Sequence, residues 1–320
     1  MLDKNLVEKI KNSKNIAIII HVNPDNDCLG SGLSLFLGLN KIGKKCSIFC
    51  DDVISEKFHY FKGIEFLNKQ NTEKFDFIIC SDTATYNRLG KYKIFLKNCE
   101  SLNIDHHFSN EKYGTYNIIE TKASCSEVMF NFLKELNIEI DKDMAFNLFA
   151  GLIGDTGGFQ HSTTTESCFE MAIELMKTGI NIERVNYYAM KVKTLKSFKL
   201  FQKAITNVSF YFNNLVSLMV IDQDMLNEIG ATEKDTTGFV YNCVNIEGFL
   251  MGILITEEYK DRWSVSVRTY EPLFASSLCE KFGGGGHKFA AGCKIAGKKE
   301  EVIEKLLKNI KDILEEQKLI

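Results

Sequence analysis

None of the ten cysteines stands in a Cys-x-x-Cys pair, which argues against a zinc ribbon and a thioredoxin-type redox site. The thiols are scattered, and many lie in apolar runs such as Phe-Asp-Phe-Ile-Ile-Cys80, where cysteine behaves as a small hydrophobe. That usage suits a reducing compartment, and a cytoplasmic protein is expected. No run approaches the ~18 apolar residues of a membrane span. Residues 1–15 show no long apolar segment behind a basic one, so no signal peptide is expected. Positive charge is not in excess either. The formal net charge is −3 at pH 7, which argues against a long nucleic-acid footprint and hence against long duplex partners. A short anionic ligand stays open, because a local cluster of Lys, Arg and metal is enough to hold it. Proline is scarce, and no internal repeat or low-complexity tract is present.

A chain of 320 residues seldom closes around one core, so two domains are expected. In the first half, short continuous apolar runs at 16–20, 45–50, 75–80 and 102–104 read as buried strands. Helical patterns follow at 30–39, 124–136, 143–152 and 167–178. This alternation predicts an α/β domain, a mostly parallel sheet with helices on both faces. Residues 183–204 are helical in character without Pro or Gly. Beyond them a smaller α+β domain is expected, with strands at 215–221, 249–256, 263–269 and 291–295 and helices at 232–243, 274–282 and 298–318. The predicted division is 1–185 for the first domain, 186–204 for a helical linker and 205–320 for the second.

Polar clusters stand at the ends of three predicted strands. His21-Val-Asn-Pro-Asp25-Asn-Asp27 follows the first, Ser81-Asp82 the third, and Asp105-His106-His107 the fourth. In parallel sheets ligands bind outside the carboxyl ends of strands. Asp155 lies between glycines, in Gly-Leu-Ile-Gly-Asp-Thr-Gly-Gly-Phe. A carboxylate directly after an apolar strand needs a partner. The chain has only six histidines, and three of them fall in these segments. Four aspartates and two histidines without a thiolate suit Mn²⁺ first, with Mg²⁺, Fe²⁺ or Co²⁺ as alternatives, better than structural zinc. The set exceeds the needs of one ion and is large enough for two ions ~3.5–4 Å apart, with one carboxylate bridging them.

A second signal lies near the C-terminus. Four consecutive glycines, residues 283–286, precede His287 and Lys288. A helix stop needs one. Their N–H groups could form an anion-binding concavity, whereas the dinucleotide fingerprint lacks its preceding strand.

The ordered motifs His-x-x-Pro-Asp-x-Asp-x-x-Gly-Ser (residues 21–31), a strand-end Asp82, Asp-His-His (105–107) and Asp-Thr-Gly (155–157) resemble the DHH phosphoesterase superfamily. That group also includes family II pyrophosphatases and RecJ-type exonucleases. The Gly-Gly-Gly-His segment, together with Trp263-Ser-Val-Ser-Val-Arg268, resembles the DHH-associated domain. The resemblance implies that His21 and Asp25 hold one ion and that Asp27, His106 and Asp155 hold the other, with Asp82 bridging. It implies that His107 faces the substrate and that Asp105 orients an imidazole. Arg268, Gly284, Gly285, Gly286, His287 and Lys288 would bind substrate, across a cleft between the domains.

The layout is similar to the bifunctional oligoribonucleases of this group. It implies hydrolysis of short RNAs to mononucleotides, with water activated by two metal ions, and removal of the 3′-phosphate of 3′-phosphoadenosine 5′-phosphate. Alternatives are a phosphodiesterase for cyclic or linear dinucleotides and, from another class, a non-catalytic nucleotide sensor. A homodimer is expected on general grounds. His161 and Thr164 are weaker candidates for lining the site. Arg88 reads as a contact to a phosphate or to a neighbouring chain, or as a surface charge. His59 and Trp263 read as structural.

Overall fold

The computed structural model describes residues 3–69 and 74–320. The chain forms two compact units, Met1–Val192 and Lys193–Ile320. Among the described residues no helix is long and apolar enough to cross a membrane.

The first unit holds strands β1 (Asn15–Ile20), β2 (Lys45–Phe49), β3 (Phe77–Ser81), β4 (Ser101–Asp105) and β5 (Tyr116–Ile119). Its helices are α1 (Lys4–Asn12), α2 (Asn26–Lys41), α3 (Cys125–Glu135), α4 (Lys142–Asp155), α5 (Glu166–Lys177) and α6 (Ile182–Asn186). The strands pair in parallel in the order β2-β1-β3-β4-β5. The unbroken apolar runs of the sequence follow from burial on both faces. Ile16, Ile18 and Ile20 of β1 pack into the main core with α1 to α5. Ala17 and Ile19 face a smaller core with Phe49, Ile78, Cys80 and Leu89. That second face is covered by the 3-10 stretch Tyr86–Asn98.

β1 is followed in space by β2 on one side and β3 on the other, so the strand order reverses between β1 and β3. Ile20 pairs with Ser81 and Ser81 with Ile104. The residues after these strands, His21, Asp82 and Asp105-His106, therefore emerge side by side at the reversal, where ligand sites form in open α/β sheets. Helices α2 and α4 bring in the rest. They pack closely because Gly30 lies against α4, where an added Cβ would sit 2.6 Å from the Asn147 carbonyl oxygen. This contact sets the C-terminus of α4, with Asp155, beside the N-terminus of α2, with Asp25 and Asp27.

The second unit holds α7 (Leu195–Ile205), β6 (Ser209–Tyr211), β7 (Val216–Ile221), α8 (Gln223–Ile229), α9 (Tyr241–Val244), β8 (Met251–Tyr259), β9 (Arg262–Thr269), α10 (Ala275–Glu280), β10 (Gly285–His287), β11 (Ala290–Ala296) and α11 (Lys299–Glu316). The sheet order is β10-β11-β9-β8-β7-β6, with only β7 and β8 parallel. β9 alternates: Trp263, Val265 and Val267 enter the core with α10 and α11, while Arg268 belongs to the opposite set.

Three expectations change. The helical linker predicted over 186–204 is broken. Val192 is extended and Thr194 caps α7, its side chain accepting the Ser197 amide at 3.0 Å. Ala189 packs against the core of the first unit, and Leu200 and Ala204 pack in the second, so each half serves a core. The helix predicted over 232–243 is a 3-10 turn at Glu233–Thr236 and the short α9, separated where Gly238 takes φ 83°. Helix α8 was unanticipated, although Asp222 caps its start and the left-handed Gly230 ends it, the two boundary signals that a sequence carries.

Candidate metal centre

Asp82 is the middle of the cluster. It is 2% exposed and has φ 57°, a left-handed backbone that a non-glycine residue adopts at a cost. Its amide donates to the Ile104 carbonyl at 2.9 Å. Its two carboxylate oxygens look different ways. Oδ2 lies 3.3 Å from His21 Nε2. Oδ1 lies 3.6 Å from His106 Nε2 and 3.7 Å from His107 Nδ1.

On the first side, His21 Nε2 also lies 3.9 Å from Asp25 Oδ2. Asp25 is the N-cap of α2, with Oδ1 accepting the Cys28 amide at 3.0 Å. On the second side, His106 Nε2 lies 3.4 Å from Asp155 Oδ2 and 3.9 Å from Asp27 Oδ2. Asp27 is held at the N-terminus of α3, where the Cys125 and Ser126 amides donate to its two oxygens at 2.5 and 2.8 Å. A helix start favours a carboxylate in this position. The six residues predicted as metal ligands are thus brought together as two groups sharing Asp82.

The imidazole orientations are set from behind. His106 Nδ1 lies 3.2 Å from the Lys122 carbonyl, so Nδ1 carries the proton and Nε2 turns a lone pair toward the aspartates. Asp105 is buried and accepts from the His106 amide at 2.8 Å, from His107 Nδ1 at 2.7 Å and from Asn110 Nδ2 at 2.5 Å. Burial pushes its carboxyl up, but these donors outweigh burial and hold it below the usual carboxylate range. The same hydrogen bond, donated to Asp105, raises His107.

Charge is poorly balanced at the centre. Burial first, then repulsion from Asp27, Asp25 and Asp155, holds Asp82 well above the ordinary range. Burial and repulsion from Asp27 and Asp25 do the same to Asp155. Burial also raises Asp27 and lowers His21. Asp82 Oδ1 and His106 Nε2 are both buried and find no hydrogen-bond partner among the described residues. Two unpartnered acceptors facing one another among carboxylates fit a divalent cation, because leaving them bare is costly. The donor set of carboxylate and imidazole is of the right type.

Sequence reasoning missed three contributors. Glu127, 2% exposed, accepts from Ser167 Oγ at 2.5 Å and the Ala123 amide at 3.3 Å, and pairs with Lys122 Nζ at 3.2 Å. It clamps the loop whose Lys122 carbonyl orients His106. The pattern Ser124-x-x-Glu127 marks a helix start, which is the one signal that pointed there. Cys28 brings its Sγ within 4.8 Å of ligand atoms of His21 and Asp82, although burial keeps the thiol strongly protonated. Gly151 has no room for a side chain, since a Cβ would strike Ser126 Oγ and lie 2.9 Å from Asp27 Oδ1. Among the weaker candidates, Arg88 Nη2 lies 2.9 Å from His21 Nδ1. His161 is exposed, with Nδ1 2.9 Å from the Asp155 carbonyl. Thr164 Oγ1 is buried without a partner among the described residues. Trp263 is packed, donating to the Gly297 carbonyl at 3.1 Å.

In the second unit, Arg268 pairs with Ala290, and Ala290 with His287. Arg268 and His287 therefore share one sheet face, two strand spacings or about 10 Å apart. Arg268 lies over the Tyr241 ring at 5.1 Å and its buried Nε has no partner among the described residues. Lys288 is engaged by Glu271 at 3.4 Å and lies over the Phe274 ring at 4.6 Å. The expected concavity of four free glycine amides does not form. The Gly283 and Gly284 amides donate to the Glu280 and Cys279 carbonyls at 3.0 and 2.9 Å and close α10. Gly285 and Gly286 belong to the edge strand β10. Glycine is required at 286 by φ 147° and because a Cβ would lie 2.6 Å from Ala291 Cα.

The profile described as "DHH family, N-terminal domain" matches residues 15–152, and that of the "DHHA1 domain" matches residues 213–316. The bifunctional oligoribonuclease and PAP phosphatase NrnA of Thermus thermophilus is 25% identical over 308 residues, covering 93% of this chain and 90% of the relative. The protein of the same name from Bacillus subtilis is 28% identical over 294 residues, covering 91% and 92%. The crystal structure of an exopolyphosphatase-related protein from Bacteroides fragilis superposes with a TM-score of 0.87 at 22% identity, covering 97% of this chain and 96% of that one.

Proposed function

Given that this chain belongs to the DHH family of phosphoesterases, with a DHHA1 domain in its second unit, we propose that it hydrolyses short oligoribonucleotides to mononucleotides and removes the 3′-phosphate of 3′-phosphoadenosine 5′-phosphate. The observation that carries the proposal is the bare, buried pair of Asp82 Oδ1 and His106 Nε2 inside a ring of aspartates. His21 and Asp25 would hold one divalent ion, Asp27, His106 and Asp155 a second, and Asp82 both. Mn²⁺ is the first candidate. When bound, such ions acidify water and neutralise phosphoryl oxygens.

The chain's own groups do the rest. His107, 36% exposed and raised by its hydrogen bond to Asp105, stands beside Asp82 to contact a phosphoryl oxygen or to give a proton to the departing oxygen. Arg268 supplies a cation and His287 a ring N–H on the second unit for a nucleotide phosphate. Two relatives of nearly matching length carry the oligoribonuclease and PAP phosphatase name, which favours this substrate class. A rate panel tests it: pApA, cyclic di-AMP, a longer RNA and 3′-phosphoadenosine 5′-phosphate, each with Mn²⁺ and with chelator. The expected order places pApA first, 3′-phosphoadenosine 5′-phosphate active, and all activity lost with chelator. A preference for cyclic di-AMP would replace this reading with a cyclic-dinucleotide phosphodiesterase. Chelator-resistant turnover would remove the metal from it.

A further inference from the structure

The sheet edge that carries the Asp/His cluster also carries a bare aromatic ring. Phe108 follows His107 directly and is 98% exposed, the barest large apolar side chain among the described residues. Single apolar residues on a surface are ordinary. What sets this one apart is its place and the way its backbone is held. Residues 107–110 form a closed turn, in which the His107 carbonyl accepts the Asn110 amide at 3.1 Å. Phe108 and Ser109 are at its tip. One buried carboxylate grips both ends. Asp105 Oδ1 accepts from His107 Nδ1 at 2.7 Å, and Oδ2 from Asn110 Nδ2 at 2.5 Å. Asn110 Oδ1 in turn accepts from Asn103 Nδ2 at 3.1 Å. The next residue, Glu111, donates its amide to the Ala84 carbonyl at 2.9 Å, which ties the loop after β4 to the loop after β3.

The backbone under the ring is therefore fixed, while the ring itself faces water. Such a ring gives up only two side-chain torsions when a partner covers it. Its neighbours His107, Ser109 and Asn110 are polar. An isolated ring among polar groups is too small for a protein interface, which needs a continuous apolar centre. It suits one flat ligand group with an apolar face and polar edges. His107 Nδ1 lies 3.7 Å from Asp82 Oδ1, and consecutive Cα atoms are about 3.8 Å apart. The ring thus stands one residue from the group that would meet a phosphoryl oxygen. In a nucleotide the base is one sugar away from the phosphate, and every base has a π-face to offer an aromatic ring.

We propose that Phe108 is a base-stacking residue of the first unit, taking the nucleobase of a nucleotide joined to the scissile phosphodiester. The proposal rests on the reading of the chain as an oligoribonuclease and deepens it. Stacking demands a base without reading its edge, so all four bases are accepted and the larger purines are held more firmly than pyrimidines.

The test compares wild type, Phe108→Ala and Phe108→Trp on pApA and on its two single-abasic forms, each lacking one adenine, all with Mn²⁺. Mn²⁺ affinity is measured separately by electron paramagnetic resonance, and folding by melting temperature. Phe108→Ala is expected to raise KM for pApA about 5- to 100-fold, with kcat changed far less and Mn²⁺ affinity and melting temperature kept. Phe108→Trp should hold KM near the wild-type value, and pApA should quench its new indole fluorescence. The emission of wild type, from the buried Trp263 alone, is the reference. One abasic form should show equal KM in wild type and Phe108→Ala, and the other should keep the full difference. Unchanged KM for pApA in Phe108→Ala overturns the proposal. So does a difference that persists in both abasic forms, since the ring would then act through the turn and not through a base. Wild type that leaves pApA uncleaved overturns the oligoribonuclease reading itself, and this proposal with it.

Discussion

In the first unit, Asp25, Asp27, Asp82 and Asp155 crowd two imidazoles, and two acceptors among them are buried without donors. In the second, Arg268 and His287 share a row of sheet, and the arginine Nε is buried without an acceptor. One cluster is short of positive charge and the other of negative charge. The first deficit is deeper, because carboxylates lose more on burial than a guanidinium lying over an aromatic ring. That contrast separates ion holding from substrate holding.

The sharpest way to break the contrast is Asp82→Asn. Turnover on pApA is expected to fall on the order of 10³-fold with Mn²⁺ bound at reduced stoichiometry. Near-normal kcat with two ions retained would show that Asp82 joins nothing. Arg268→Ala should act on the other side of the divide, raising KM about 10- to 100-fold while changing kcat far less. A kcat loss at constant KM would mean that the second unit takes part in the chemistry.

Glu127 sharpens the comparison within the first unit, because it acts through the Lys122 carbonyl on His106. Glu127→Gln should weaken Mn²⁺ binding by about 10-fold. Leu133→Ala, on the same helix but in the core, should lower the melting temperature and leave Mn²⁺ affinity alone. Equal Mn²⁺ affinity in the two variants would reduce Glu127 to a fold residue.

The smallest expected effect is one of pH. Raised carboxyls at Asp82, Asp155 and Asp27 mean that the ion-free folded chain binds more protons than the unfolded one. This difference begins near the ordinary aspartate value of about 4. Stability of the ion-free chain therefore falls as pH rises through the raised values. The lowered His21 and Asp105 work in the opposite direction, two groups against these three and the raised His107. Mn²⁺ replaces those protons, so the melting-temperature gain on adding Mn²⁺ should grow from mildly acidic to neutral pH. A gain independent of pH would count against cation binding at these carboxylates.

The strand ends were legible because continuous apolar runs stop at His21, Asp82 and Asp105, and a parallel sheet brings those ends together. What supports them was not legible. Asp27 is held by amides at Cys125 and Ser126, and His106 by a carbonyl at Lys122 that depends on Glu127. These are backbone or long-range contacts with no local pattern. Cys28 was passed over because the ligand motif was read as thiol-free. Four open glycine amides were expected for a similar reason. Alone they suggest open amides, but the partner that consumes the segment, β11, follows it in the chain. The break at Val192 to Thr194 was hidden because no Pro or Gly marks it, and a threonine cap within a polar stretch carries little signal.

The twisted backbone at Asp82 leaves the chain with an asymmetric evolutionary margin. Glycine at this position would relax the left-handed conformation and remove a crowded carboxylate in one step. An inert descendant would therefore fold more readily than its active ancestor, and only selection for turnover keeps the less comfortable residue in place.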